Sequence, residues 1–226
     1  MHILSIGQNI SHNSLQITSI TESQLSTQDD IQEYDYIIIH GGDGTIRRVL
    51  KALQGIVIKA KFILNPTGSF NVIAKLHKVP KLKNILDKLS NNTPLIDEKH
   101  HYFSLNQEIF LFSAGNMGDL QHIFLAETLR FGILKKGITK YLLAVFFLLP
   151  LHLIMTPFML LSPRRFFIFT PARFISKIGS FRGEVVPMSI QLKNNYNLIE
   201  LDGDIVTIQE STLEIKPAGF IKVVVG

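Results

Sequence analysis

A chain of 226 residues, 46% hydrophobic and 18% charged, can bury a core as one large domain or two small ones; it is neither disordered nor fibrous. It has no cysteine, which excludes disulfides and thiolate metal sites, and its eight histidines show no HExxH or comparable spacing. The formal charge of +5 is unevenly placed: six acids and no Lys or Arg over 1–46, eight lysines against three acids over 59–99, five basic residues and no acid over 164–182. Such patches favour an anionic partner, although lysine-rich helix faces are also ordinary solubilising surface.

The opening MHILSIGQNI has no basic stretch followed by an apolar core, so it does not read as a signal peptide, and a cytoplasmic protein is the expectation. His2 to Ile6 reads as a short buried strand, and a second strand is expected at Leu15 to Ile20. The β-branched run Tyr36 to Ile39 forms a strand that ends at His40, Gly41 and Gly42. From Thr45 the period changes: Ile46, Val49, Leu50 and Leu53 share one helical face, and Gly55 ends the helix.

A further strand, Lys61 to Leu64, runs into Asn65-Pro66-Thr67-Gly68-Ser69. Phe70 to Leu76 can be helical, and Lys81 to Leu89 is an amphipathic helix. Repeated strand, loop and helix argue for a mostly parallel α/β sheet with ligand loops at the carboxyl ends of its strands. The first domain is accordingly expected over 1–98.

Within it, Gly41-Gly42-Asp43-Gly44-Thr45 stands between a buried strand and a helix. Glycines let the backbone approach an anion, and amides at a helix start donate to phosphate oxygens. Asp43 is the right kind of ligand for a hard cation or its bound water. The segment lacks the GK[ST] of a Walker motif and is not a GxGxxG fingerprint. On these residues alone it is a phosphate-binding loop or a tight strand-to-helix turn.

After about residue 98 the texture changes. Strands are expected at Tyr102 to Leu105 and Ile109 to Ser113, then at Ser189 to Leu192, Leu198 to Leu201, Ile205 to Ile208, Thr212 to Ile215 and Ile221 to Val225. Short runs separated by turns indicate a second, largely antiparallel domain over 99–226, with an apolar helical insertion at about 120–161. Tyr141 to Leu161 carries no Asp, Glu, Lys or Arg, long enough to cross a bilayer at roughly 20 residues. Pro150, His152 and Pro157 interrupt it, so buried or lipid-facing helices, a span, and an exposed association surface all remain open.

In Leu201-Asp202-Gly203-Asp204, Asp-Gly between two apolar β-branched runs is a hairpin-turn signal. A rigid turn is also a good place to present a carboxylate.

GGDGT after a hydrophobic strand resembles the hallmark shared by diacylglycerol kinases, sphingosine and ceramide kinases, their bacterial lipid-kinase relatives and, more distantly, NAD kinases. Pro66-Thr67-Gly68-Ser69-Phe70-Asn71-Val72-Ile73-Ala74 is similar to the lipid-kinase pattern P-x-G-[TS]-x-N-x-x-A, whereas the Asn-Glu pair and second glycine-rich loop of NAD kinases are not found. Gly137 and Tyr141 resemble the family's G-x-x-x-Y helix, Asp202-Gly203-Asp204 its D-G-E motif, and Pro217-Ala218 the approach to its terminal strand. The chain departs from the family in lacking an N-P-x-x-G opening and a basic residue near the first loop, Arg47 being the first Lys or Arg.

The resemblance implies a NAD kinase/diacylglycerol kinase-like two-domain fold, α/β plus a β-rich second domain, with the active site in the interdomain cleft. It implies ATP and Mg²⁺ as cofactors, held by Gly41, Gly42, Asp43, Gly44, Thr45, Pro66, Thr67, Gly68, Ser69 and Asn71. Asp202 would be the catalytic base, Asp43 would assist catalysis, and Asp43 and Asp204 would be metal ligands. The implied reaction transfers the γ-phosphate to a lipid alcohol such as diacylglycerol, on an anionic membrane surface to which a cytoplasmic protein binds peripherally. A homodimer is compatible with the sequence. The alternatives are a degenerate lipid- or nucleotide-binding relative and a kinase of a soluble hydroxylated metabolite. Nucleic acid is not an expected partner, because the basic patches lack an aromatic stacking array or a recognition helix.

Overall fold

A computed structural model describes residues 1–28, 30–116, 161 and 164–226. The G-x-x-x-Y segment, the insertion expected at about 120–161 and all of the apolar run except Leu161 lie outside them. The fold is a two-domain α/β architecture with two sheets and helices. Its compact units are Met1–Tyr102 with Ala218–Gly226, and Phe103–Pro217.

The first unit is built on strands β1 (His2–Ile6), β2 (Gln16–Ile20), β3 (Tyr36–Gly41) and β4 (Lys61–Pro66), with helices α1 (Asp43–Ala52), α2 (Val72–Leu76) and α3 (Leu82–Ser90). The strand order is β2-β1-β3-β4, and every pairing is parallel. Parallel central strands are covered on both faces and read as unbroken apolar runs. Here Ile3, Leu4, Ile37, Ile38, Ile39, Ile63 and Leu64 are all buried. Alternation splits them: Ile3, Ile38 and Ile63 pack with Ile85 and Leu89 of α3, and the intervening residues face the other way. A fully buried side chain of this size contributes about 1.5–3 kcal/mol. Between β2 and β3 the chain makes two 3₁₀ turns, Glu22–Thr27 and Ile31–Glu33.

The β-rich part comprises β5 (Asp97–Leu105), β6 (Glu108–Phe110), β7 (Ser113–Gly115), β8 (Phe167–Phe169), β9 (Lys177–Ile178), β10 (Phe181–Arg182), β11 (Met188–Gln191), β12 (Asn197–Leu201), β13 (Asp204–Ile208) and β14 (Thr212–Val224). In the second unit one sheet runs β13-β12-β7-β8-β10-β9, antiparallel except where β10 meets β8. Phe110, Phe166, Ile168, Ile199, Leu201, Leu213 and Ile215 belong to the core of this unit.

Several expectations are corrected. The two strands expected around Pro217 are one, β14, which pairs with β11 at Thr212 to Ile215, with β4 at Val223, and also with β5. A missing N–H is tolerated where no ladder bond is required. That parallel pairing with β4 returns Ala218–Gly226 to the first unit, whereas the sequence assigned the chain's end to the second. β5 begins five residues earlier than Tyr102, at Asp97. The run Ile109 to Ser113 is broken at Leu111 and Phe112, whose amides turn to a side chain described below. The short strands β8, β9 and β10 were not anticipated; none is long enough to show a period.

Candidate active site

In the first unit, β3 and β4 end side by side, His40 opposite Asn65 and Gly41 opposite Pro66, so the two glycine-containing loops leave from adjacent strand ends. The loops touch through their backbones. Thr67 N–H donates to Gly41 C=O at 3.2 Å. A Cβ on Gly68 would lie 2.7 Å from the Gly42 Cα, and one on Gly41 would strike the Thr45 side chain at 2.4 Å. Glycine is therefore required by close approach at these positions. Gly42 caps α1, and Gly44 and Thr45 lie in its first turn.

Asp43 sits at the start of α1 and is 6% exposed. Its Oδ2 accepts from Val72 N–H at 2.8 Å and its Oδ1 from Ile73 N–H at 3.0 Å. Those are donors that a helix start leaves unpaired, so Asp43 caps α2 from 29 residues away. Asn71 closes the second loop. It adopts φ +49°, its Oδ1 accepts from Gly68 N–H at 3.1 Å and its Nδ2 donates to Gly68 C=O at 2.7 Å. Asparagine tolerates this left-handed geometry better than a branched residue. Ser69 stands exposed at the loop's tip.

The result is a single cradle of close-packed glycine backbone beside a helix start, which fits a phosphate group. Magnesium fits less directly. Each Asp43 oxygen already accepts an amide, and among the described residues no three His, Asp or Glu side chains are grouped to hold an ion.

A buried network that the motifs did not disclose supports the loops. Ser5 Oγ donates to Gln8 C=O at 2.8 Å and lies 3.0 Å from His40 Nε2, while Asn65 Nδ2 lies 2.8 Å from His40 Nδ1. Since the serine proton is committed to Gln8, His40 carries its proton on Nε2, and Nδ1 accepts from Asn65. Burial lowers the pKa of His40 and favours this neutral form. The network ties the ends of β1, β3 and β4 together. A polar residue ending each of the apolar runs of β3 and β4, and one inside that of β1, was the available signal.

In the second unit, Asp202 and Gly203 form the two-residue hairpin between β12 and β13, with φ of +53° and +90° and Leu201 opposite Asp204. Positive φ at both positions is the type I′ signature. The side chain turns inward and is 5% exposed. Its Oδ2 accepts from Leu111 N–H at 2.7 Å, and its Oδ1 accepts from Phe112 and Ser113 N–H at 2.9 and 3.0 Å. This interrupts the strand expected across 109–113. Glu200 is also buried and accepts from Ser113 Oγ at 3.0 Å and Gly203 N–H at 2.5 Å. Burial raises the Asp202 carboxyl to about 7, with the Glu200 charge adding to the rise and the three amides opposing it. Asp204 begins β13 and is half-buried. Neither Ser113 nor Glu200 was singled out in the sequence, because neither belongs to the glycine motif.

Residues 8–97 match the model of the diacylglycerol kinase catalytic domain. Over that stretch, about two fifths of the chain, the sequence is similar to that domain. A protein of Streptococcus pneumoniae serotype 4 named "Putative lipid kinase" is 27% identical over 128 residues, which are 52% of this chain and 42% of that protein. The chain thus spans about two fifths of the length of the curated relative it matches. A crystal structure of a diacylglycerol kinase from Bacillus anthracis str. Sterne superposes with a TM-score of 0.56 at 13% identity, covering 100% of this chain and 96% of that one. At that identity the likeness shows the fold. The diacylglycerol kinase domain match takes in both glycine loops, and Asp202 lies beyond it.

Proposed function

We propose that this chain is an ATP-dependent lipid kinase that transfers the γ-phosphate to a lipid hydroxyl, diacylglycerol or a related alcohol. The observation that carries the reading is the joined pair of loops, in which Gly68 approaches Gly42 too closely to carry a Cβ. Gly41 to Thr45 and Pro66 to Asn71 hold the phosphates of ATP through backbone donors. Magnesium, when bound with the nucleotide, neutralises charge on the phosphate oxygens. Asp43, which also pins α2, and Asp204 are the carboxylates that would hold it. Asp202 takes the proton from the attacking hydroxyl. A carboxyl raised to about 7 is suited to that work at neutral pH.

A peripheral membrane location goes with this substrate. Arg164, Arg165 and Lys193 line one hollow of the second unit with Asn116 and Asn194, an arrangement that favours anionic headgroups. Asn116 braces this rim, donating to Arg164 C=O at 3.0 Å and accepting from Phe166 N–H at 2.9 Å. No helix among the described residues is long and apolar enough to cross a membrane.

The test is incubation of purified protein with γ-labelled ATP, Mg²⁺ and a panel of lipid alcohols in mixed micelles. Label is expected in the lipid phase. Transfer only to water-soluble acceptors would defeat the lipid assignment, and no transfer to any acceptor would leave a nucleotide- or lipid-binding relative.

A further inference from the structure

The first unit contains a cavity of about 740 Å³. It lies at the amino end of β4, the end away from the glycine loops, and is bordered by the last turn of α1 and by β14. Its floor is apolar and built from core residues: Leu50, Leu53, Phe62 and Ile221 are each at most 6% exposed. A volume of this size falls in the range of about 300–1,000 Å³ typical of small-molecule sites and far exceeds the voids that packed cores leave.

The polar groups around that floor are mostly cations and donors, and no carboxylate lines the cavity. Lys59 and Lys222 stand at its margin, exposed, with no ion pair or hydrogen bond to a described residue. Lys61, nearby in sequence, is instead committed to Asp97 at 2.5 Å. Lys99 adds a third charge: its Nζ lies 4.5 Å from the centre of the Phe220 ring, which itself lines the cavity. Tyr102 borders the cavity with its hydroxyl close to Gly219, where a Cβ would come within 2.7 Å of that oxygen. The lack of a side chain at Gly219 makes room for the tyrosine ring and hydroxyl. Lys59 also lines a neighbouring hollow with Glu33 and Asp35, and Asp35 there accepts from His2 N–H at 2.8 Å and pairs with the N-terminus.

An apolar floor with a rim of lysines recognises an apolar chain that ends in an anion. We infer that this cavity is a binding site for an anionic amphiphile, an acyl chain bearing a carboxylate or a phosphate. It is separate from the phosphate cradle at the other end of the same strand, and it does not depend on the kinase reading. The chain displaces water from Leu50, Leu53, Phe62 and Ile221, and the headgroup sits between Lys59 and Lys222.

The experiment titrates the full chain calorimetrically with dodecanoate, dodecyl phosphate and dodecanol, each below its micellar concentration. Both anions are expected to saturate one site, and whichever binds more tightly identifies the headgroup as carboxylate or phosphate. Dodecanol should bind at least about tenfold more weakly. Replacing both surface lysines, Lys59→Gln with Lys222→Gln, should weaken the anions by about tenfold or more while leaving dodecanol unaffected. Ala218→Phe, at an exposed position on the lining, should block all three ligands and leave Mg·ATP titration unchanged. Absence of saturable anion binding, equal binding of dodecanol, or unchanged affinity in the double lysine variant would overturn the assignment. The lysine pair is exposed and outside the core, so its result does not hinge on refolding.

Discussion

Asp43 and Asp202 use one device in two settings. Each is a buried aspartate in a glycine-flanked motif, and each spends its carboxylate on backbone amides of a distant segment: residues 72–73 for Asp43, residues 111–113 for Asp202. In the first unit the partners are the free amides at a helix start, and the effect is to weld two loops into one cradle. In the second, three amides converge on a hairpin turn beside Glu200, and burial outweighs them, so the carboxyl is held near neutral pH. A carboxylate of the first kind organises a site, whereas one of the second kind can also exchange a proton.

That contrast is broken most decisively at Asp202. Asp202→Asn keeps a side chain compatible with the type I′ turn but cannot act as a base, and turnover at saturating ATP and lipid should fall by about 10²–10⁴-fold. Near-normal turnover in a folded variant would make Asp202 a clasp like Asp43. The same variant carries a pH test. The folded chain keeps a proton up to about 7 that the unfolded chain releases near 3.8, so this stability is full below about 3.8 and lost as pH rises through about 7. Denaturant midpoints across that window should therefore fall with pH in the parent and flatten in Asp202→Asn, while parent turnover should rise as pH passes through about 7.

Gly68→Ala tests the cradle itself. The new methyl would sit 2.7 Å from the Gly42 Cα, and the loops must part at a cost of about 1–3 kcal/mol. Calorimetry should show weakened Mg·ATP binding together with the lower melting temperature. If nucleotide affinity is untouched, phosphate does not sit there.

Asp43→Asn should lower stability by about 1–3 kcal/mol, because one amide donor is left facing an NH₂ group. Chemical denaturation measures this loss, and a variant as stable as the parent would show that the clasp carries little. Asn71→Gly should have an effect no larger than that. Glycine accepts φ +49°, so only the two side-chain bonds to Gly68 are lost, each worth about 0.5–1.5 kcal/mol. The expected readout is a modest fall in melting temperature with a few-fold rise in the KM for ATP.

The sequence by itself determined strands β1 to β4, helices α1 to α3, the parallel pairing of those strands, the two loops at their carboxyl ends and the hairpin at Asp202. Each of these rests on local information: apolar runs, a change of period, and residues that relieve strain at turns. Tertiary structure alone decided what the motif side chains do. Asp43 meets Val72 and Ile73, Asp202 meets 111–113, and His40 joins Ser5 to Asn65, contacts spanning 25 to 91 residues that no spacing rule encodes. It also decided that β14 runs through Pro217 and brings the end of the chain back beside β4, because a strand's continuity depends on which neighbours need its hydrogen bonds.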